Sequence, residues 1–259
     1  MFNITPMVRN LLIINVVVFM LQSAGVFDYR SFALHHFGSD YFQPVQIFTH
    51  MFLHGGWAHL FSNLFMLFIF GPLLERFWGS QRFLAFYLIT GIGASLMYSG
   101  VRAYELHNLE QEAVQYIENP TPVGFHNFME SHFSGNYDKS LAINFQRNPD
   151  SPEFIEHTSS IVRSAFSASF NSPMLGASGA IFGVLMAFGM LFPNLELFLL
   201  FLPFPIKAKY FVLAYGAIEL YTGFNRVPGD NVAHFAHLGG MLFAYILIKM
   251  WQRNDYQDT

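Results

Sequence analysis

The chain has 259 residues, 53% of them hydrophobic and only 12% charged, about half the charged share of a soluble domain. With 32 phenylalanines as well, that composition describes an integral membrane protein. A net charge of -4 without any long basic run argues against nucleic acid as a partner, and the lack of cysteine excludes disulfides, thiolate metal sites and cysteine nucleophiles.

Taken in chain order, six apolar runs are candidates for membrane spans, each measured against the roughly 20 residues a spanning helix needs. The first covers residues 10–23. Arg9, an apolar stretch and Ser23-Ala24-Gly25 give it some likeness to a signal peptide, but Asn15 interrupts its apolar core and more spans follow, so it reads as an uncleaved first span. The second and third cover 58–78 and 83–101. A polar insertion follows at about 103–172, with Glu105, Glu110, Glu112, Glu118 and Glu130. A structureless loop of that length is unusual in a compact fold, so short helices lying over the membrane domain and a solvated acidic loop are both open. Asp150-Ser151-Pro152-Glu153 has the form of a helix start, and Ile155, Ile161, Val162 and Phe166 offer an apolar face after it. The fourth run starts at Ser178 and ends before Pro193. A short apolar connector at 197–205 leads to the fifth and sixth runs, at 208–222 and 232–251. Trp57, Trp78 and Trp251 fall at span ends, where an aromatic belt is expected.

Six spans place both termini on one side. That side collects Arg9, Arg76, Arg82, Lys207, Lys209, Lys249 and Arg253, against Arg30 and Arg226 in the short loops opposite. The first side is therefore expected to be cytoplasmic, and the insertion and the start of the fourth run to lie outside. The whole chain reads as one membrane domain, 1–259, with an extracytoplasmic insertion.

Polar side chains inside a bilayer are costly and usually functional. Ser178 opens the fourth run within Gly176-Ala177-Ser178-Gly179-Ala180-Ile181-Phe182-Gly183. A serine at a helix start feels the positive end of the helix dipole, and unpaired N–H groups lie nearby. Gly179 and Gly183 share one face, as do Gly240 and Ala244 of the sixth run, and these small faces are expected to let the two helices approach. His237 lies in the sixth run at a similar depth, and a neutral histidine beside a serine can activate it. His234, one turn nearer the surface, is a supporting polar group. His59 and Asn63, four apart in the second run, can aim two donors at one point, as an oxyanion hole requires. Glu219, an acid inside the fifth run, has no partner that the sequence names.

The set His59-x-x-x-Asn63, Gly176-x-Ser178-Gly179-x-x-x-Gly183 and His237-x-x-Gly240 resembles the rhomboid intramembrane serine proteases. So do Phe48-Thr49-His50-Met51-Phe52-Leu53-His54-Gly55-Gly56 and Gly71-x-x-x-Glu75 with Trp78-Gly79-Ser80. The resemblance implies an all-α, six-helix membrane bundle and a Ser–His dyad without a carboxylate. By position Ser178 would be the nucleophile and His237 the base, with His59, Asn63 and the Ser178 N–H forming the oxyanion hole. Phe182 would pack on the histidine, and the fifth span would be the lateral gate. It implies no metal and no cofactor, and as partners the bilayer and the transmembrane helices of substrate proteins. It also implies an integral, multi-pass location, here a bacterial inner (plasma) membrane. The long insertion and Glu219 depart from the family pattern. His35, His36, His50 and His54 are candidates to line a water path to the serine.

Two other classes compete. A non-catalytic rhomboid-like protein would hold client helices without cutting them. A histidine-ligated di-metal membrane oxidase would use spacings such as His50-x-x-x-His54 and His234-x-x-His237. The latter needs about eight histidines gathered on the cytoplasmic side, whereas these clusters are expected on the outer side, and no His-x-x-His-His triplet is present.

Overall fold

The computed structural model describes residues 4–135, 137–198, 204–225 and 232–257, and they are mostly helical. Helix α1 (Pro6–Ser23) starts on a proline, whose missing N–H is not needed in a first helical turn. A connection with two 3-10 turns and the one-turn α2 (Gln46–Thr49) leads to α3 (Trp57–Trp78). Gly79, at φ +80°, separates α3 from α4 (Ser80–Glu118); that left-handed backbone suits glycine and lets the chain reverse without a loop. After the insertion come α8 (Ser178–Leu191), α9 (Ala208–Phe224) and α10 (His234–Gln257). All six apolar runs are thus helical.

The centre of the molecule is α8, buried along most of its length and packed against α3, α4, α9 and α10. Val184 and Leu185 of α8 share one core with Leu74, Phe83, Phe86 and Tyr87. Among the described residues α1, α3 and α4 are long and apolar enough to cross a membrane by length and composition; α8 is a shorter apolar helix. Its 14 residues reach about 21 Å at 1.5 Å per residue, short of the roughly 30 Å hydrocarbon layer.

The insertion differs from expectation at its start. Helix α4 does not end near residue 101 but continues to Glu118. Its polar C-terminal half carries a buried stripe, Leu106, Leu109, Ala113 and Tyr116, at helical spacing. This stripe meets α5 (Pro122–Phe133), α6 (Lys139–Arg147) and α7 (Pro152–Phe170) in a second core that contains Phe125, Phe128, Phe145 and Val162. Residues 103–172 therefore form a packed helical unit and not a solvated loop. Ile155, Ile161, Val162 and Phe166 all face that core, as predicted. Helix α7 starts where the sequence places it, with Pro152 and Glu153 in its first turn, although the Ser151 side chain makes no capping bond. Arg102 ties the unit to the membrane bundle by donating to the Ser169 carbonyl at 2.8 Å and to Ser169 Oγ at 2.7 Å.

The ends of the connector predicted at 197–205 pair as β1 (Glu196–Leu197) and β2 (Ile206–Lys207), antiparallel, with Glu196 opposite Lys207. Its middle, 199–203, lies outside the described residues, as does Arg226 of the charge count.

Candidate active site

Three helices bring Ser178, His237 and His59 close to one another. Gly176, at φ +132°, turns the chain into α8, and its N–H donates to the His50 carbonyl at 2.9 Å. That bond holds the entry to α8 against the 3-10 turn at His50, so Ser178 is presented in the first turn of the helix. Across from it, the imidazole of His237 on α10 places Nε2 2.8 Å from Ser178 Oγ. The Phe182 ring, one turn along α8, stacks on His237 at 4.1 Å between centroids and 7° between planes. Tyr215 of α9 packs on Phe182 at 5.0 Å.

Close backbone approach makes this possible. A methyl group on Gly240 would collide with the carbonyl of Gly179, so only glycine lets α10 come this near to α8. The predicted pairing of small faces needs one correction. Gly183 does not face α10: a Cβ there would lie 2.7 Å from Thr90 Cβ on α4, and a Cβ on Gly179 would meet Ala94 of the same helix. The small residues of α8 therefore serve two neighbours, Gly240 pressing from α10 and Thr90 and Ala94 from α4.

His59 and Asn63 share one face of α3 as expected. Gly55 N–H donates to His59 Nδ1 at 3.3 Å, which leaves the ring proton on Nε2. That nitrogen lies against Gly176, so close that a Cβ at residue 176 would sit 2.8 Å from it. Asn63 Nδ2 is buried without a hydrogen-bond partner among the described residues. His59 Nε2 thus lies at the turn that carries Ser178, whose own N–H opens a helix and has no acceptor within it.

His35 and His54 are buried, and His36 packs on Phe170 of the insertion at 5.0 Å. Only His50 borders the small pocket beside Ser178, with Met174, Leu175, Gly176 and Ala236. Burial pushes the His50 and His54 rings down to about 4, so both are neutral near pH 7.

Glu219 of α9 has partners after all. Its Oε2 lies 2.8 Å from His237 Nδ1 and 2.6 Å from His234 Nδ1, and Thr222 Oγ1 is 3.1 Å from the same His234 nitrogen. The carboxylate is 5% exposed and His237 8%. A carboxylate thus stands beside His237, where the resemblance implied none. Glu219, His234 and His237 are also the group of metal-ligating side chains found among the described residues, with ligand atoms within 4.8 Å of one another. The two N–O separations are those of hydrogen bonds, shorter than the about 3.3 Å between neighbouring ligands of tetrahedral zinc, so the arrangement fits proton sharing better than a metal. Among the described residues His50 and His54 join no such group.

A family model, the Rhomboid domain, matches residues 41–107 and 155–253. The chain belongs to the rhomboid family. The two matched segments hold every site residue named above, and the stretch they leave out falls within the helical insertion of this rhomboid. Over 217 residues it is 28% identical to an uncharacterized mitochondrial rhomboid protein of Schizosaccharomyces pombe, covering 82% of this chain and 51% of that one. It is 33% identical over 110 residues to the rhomboid protease AarA of Providencia stuartii, 38% of each chain. With the chloroplastic rhomboid-like protein 11 of Arabidopsis thaliana it shares 43% identity over 68 residues, 26% of this chain and 23% of that one. It spans about half or less of the length of these relatives. Its integral membrane character follows from the family and from the apolar helices.

The sequence marks Ser178, His237, His234 and the anomalous Glu219, but not the contact of Glu219 with the two histidines nor Tyr215 and Thr222 beside them. One signal for it is present. Tyr215, Glu219 and Thr222 recur at helical spacing on α9, a polar face on an otherwise apolar helix, opposite His234 and His237.

Proposed function

We propose that this rhomboid is an intramembrane serine endopeptidase that cuts transmembrane segments of membrane proteins. The observation that carries the reading is the 2.8 Å contact between Ser178 Oγ and His237 Nε2, in a half-buried site at a helix N-terminus. Ser178 Oγ attacks the scissile carbonyl carbon while His237 Nε2 takes its proton. The oxyanion is held by the N–H groups of Ser178, His59 and Asn63. Collapse breaks the C–N bond as His237 returns the proton to the leaving amine. Water, reaching the site by the His50 pocket, then hydrolyses the acyl-enzyme. The substrate helix must unwind locally, because a helical peptide bond is shielded, so small or helix-breaking residues near the cleaved bond favour cutting.

The reading includes six spans, an outer helical insertion, and both termini on the cytoplasmic side of a bacterial inner membrane. The asymmetry of Lys and Arg supports the side. Its test is cleavage of a transmembrane model substrate in proteoliposomes. Ser178→Ala is expected to abolish cleavage; if the variant cuts as well as the parent, the proposal is wrong.

A further inference from the structure

We propose that Glu219 is a positioning residue for His237, so that the site is a serine–histidine–glutamate chain and not a dyad. This rests on the protease reading above and extends it. An ionised carboxylate oxygen has two lone pairs and no proton, so it accepts from both imidazoles at once. The 2.6 and 2.8 Å contacts therefore put the ring proton of His234 and of His237 on Nδ1. For His237 the consequence is direct. With Nδ1 protonated, its neutral ring offers a lone pair at Nε2, the atom facing Ser178 Oγ. The other tautomer would present an N–H to the serine and could not take its proton. The carboxylate also stands where positive charge develops once the ring has accepted the Ser178 proton.

The packing around the ring supports an orienting role. Phe182 covers one face of His237 and fixes its plane, but stacking leaves the ring free to rotate within that plane. The Glu219 bond supplies the missing constraint. A buried carboxylate is destabilising unless hydrogen-bonded, and the side-chain N–H partners found for this one among the described residues are His234 and His237.

His234 holds the carboxylate rather than the serine. Its Nδ1 meets Glu219 Oε2 and Thr222 Oγ1, and Thr222 in turn donates to the Ile218 carbonyl at 2.8 Å. The chain of contacts thus runs from α9 through Glu219 to α10 and on to α8. Helix α9 exposes Tyr210, Leu213, Ile218 and Tyr221 outward and turns Tyr215 and Glu219 inward. Its placement, and not only that of α8 and α10, sets the geometry of the base.

The experiment compares purified full-length chain with Glu219→Gln, Glu219→Asp and Ser178→Ala in proteoliposomes. It measures kcat and KM on a transmembrane model substrate, the rate of fluorophosphonate labelling, and the thermal midpoint. Glu219→Gln keeps the size of the side chain, and its amide N–H2 can hold the wrong tautomer. Its kcat and its labelling rate are expected to fall together by about 10- to 1,000-fold, with KM within about threefold of the parent. Glu219→Asp, which keeps the charge, is expected to recover part of that loss. If Glu219→Gln does not fold, Glu219→Asp alone decides: its labelling rate must fall by about threefold or more in folded protein. Parent-like labelling in a folded Glu219 variant overturns the proposal, as does a change confined to KM or to the thermal midpoint. Failure of the protease reading is recognised separately, by Ser178→Ala retaining cleavage.

Discussion

Among the described residues two glutamates, Glu75 and Glu219, are buried in the helical bundle, and they are held in opposite ways. Glu75, 2% exposed near the end of α3, accepts from the Met7 and Val8 N–H groups at 2.9 and 2.8 Å and from Ser80 Oγ at 2.6 Å. It closes the unpaired start of α1 from a helix two elements away, a capping task in which no partner titrates near neutral pH. Glu219, 5% exposed on α9, is instead held by two imidazoles, one of which faces a serine. Each acid is tolerated because it is paired. The chemistry of its partners, and not its burial, separates a fastening from a working group.

Substitutions can break that contrast in order of expected effect. His237→Ala removes the proposed base, and cleavage is expected to fall by about a thousandfold or more with the fold retained, read by single-turnover assay. Gly240→Ala comes next. Its methyl would meet the Gly179 backbone and push α10 away from α8, so activity should drop by about 10- to 100-fold. Gly183→Ala, which presses on Thr90 instead, should lower the thermal midpoint and alter kcat much less; equal losses of activity in both variants would count against the assignment of faces. Glu75→Gln mirrors Glu219→Gln in the other region. It should cost on the order of 1–3 kcal/mol of stability while the folded fraction cuts at the parental rate.

The smallest effect concerns pH. The buried rings of His50 and His54 have pKa values near 4, against an ordinary 6.5. The unfolded chain therefore binds more protons below 6.5, so their contribution to stability is complete above that pH and is lost as pH falls toward 4. Thermal midpoints should decline through this window, and less steeply in His50→Gln if that variant folds. A flat profile would contradict the burial of both rings.

Much of this architecture is legible in the order of the amino acids. The apolar runs with their Gly and Pro boundaries fall on α1, α3, the first half of α4, α8, α9 and α10, and a serine and a histidine on glycine-bearing faces point to the contact at 2.8 Å. The far half of α4 is not legible, because Leu106, Leu109, Ala113 and Tyr116 form a sparse stripe within polar sequence, and its partners are other parts of the insertion. The small-xxx-small pattern shows that α8 has close neighbours but not which, so it points Gly183 at α10 although the residue packs on α4. Glu219 is visible as an anomaly. Its role depends on how α9 sits against α10, which no local spacing records.

The most direct test of the central claim is fluorophosphonate labelling of the purified chain in bilayers, with the modified residue mapped by peptide mass. The account predicts a single adduct on Ser178 that disappears in His237→Ala. An adduct elsewhere, or undiminished labelling of Ser178 without His237, would contradict it.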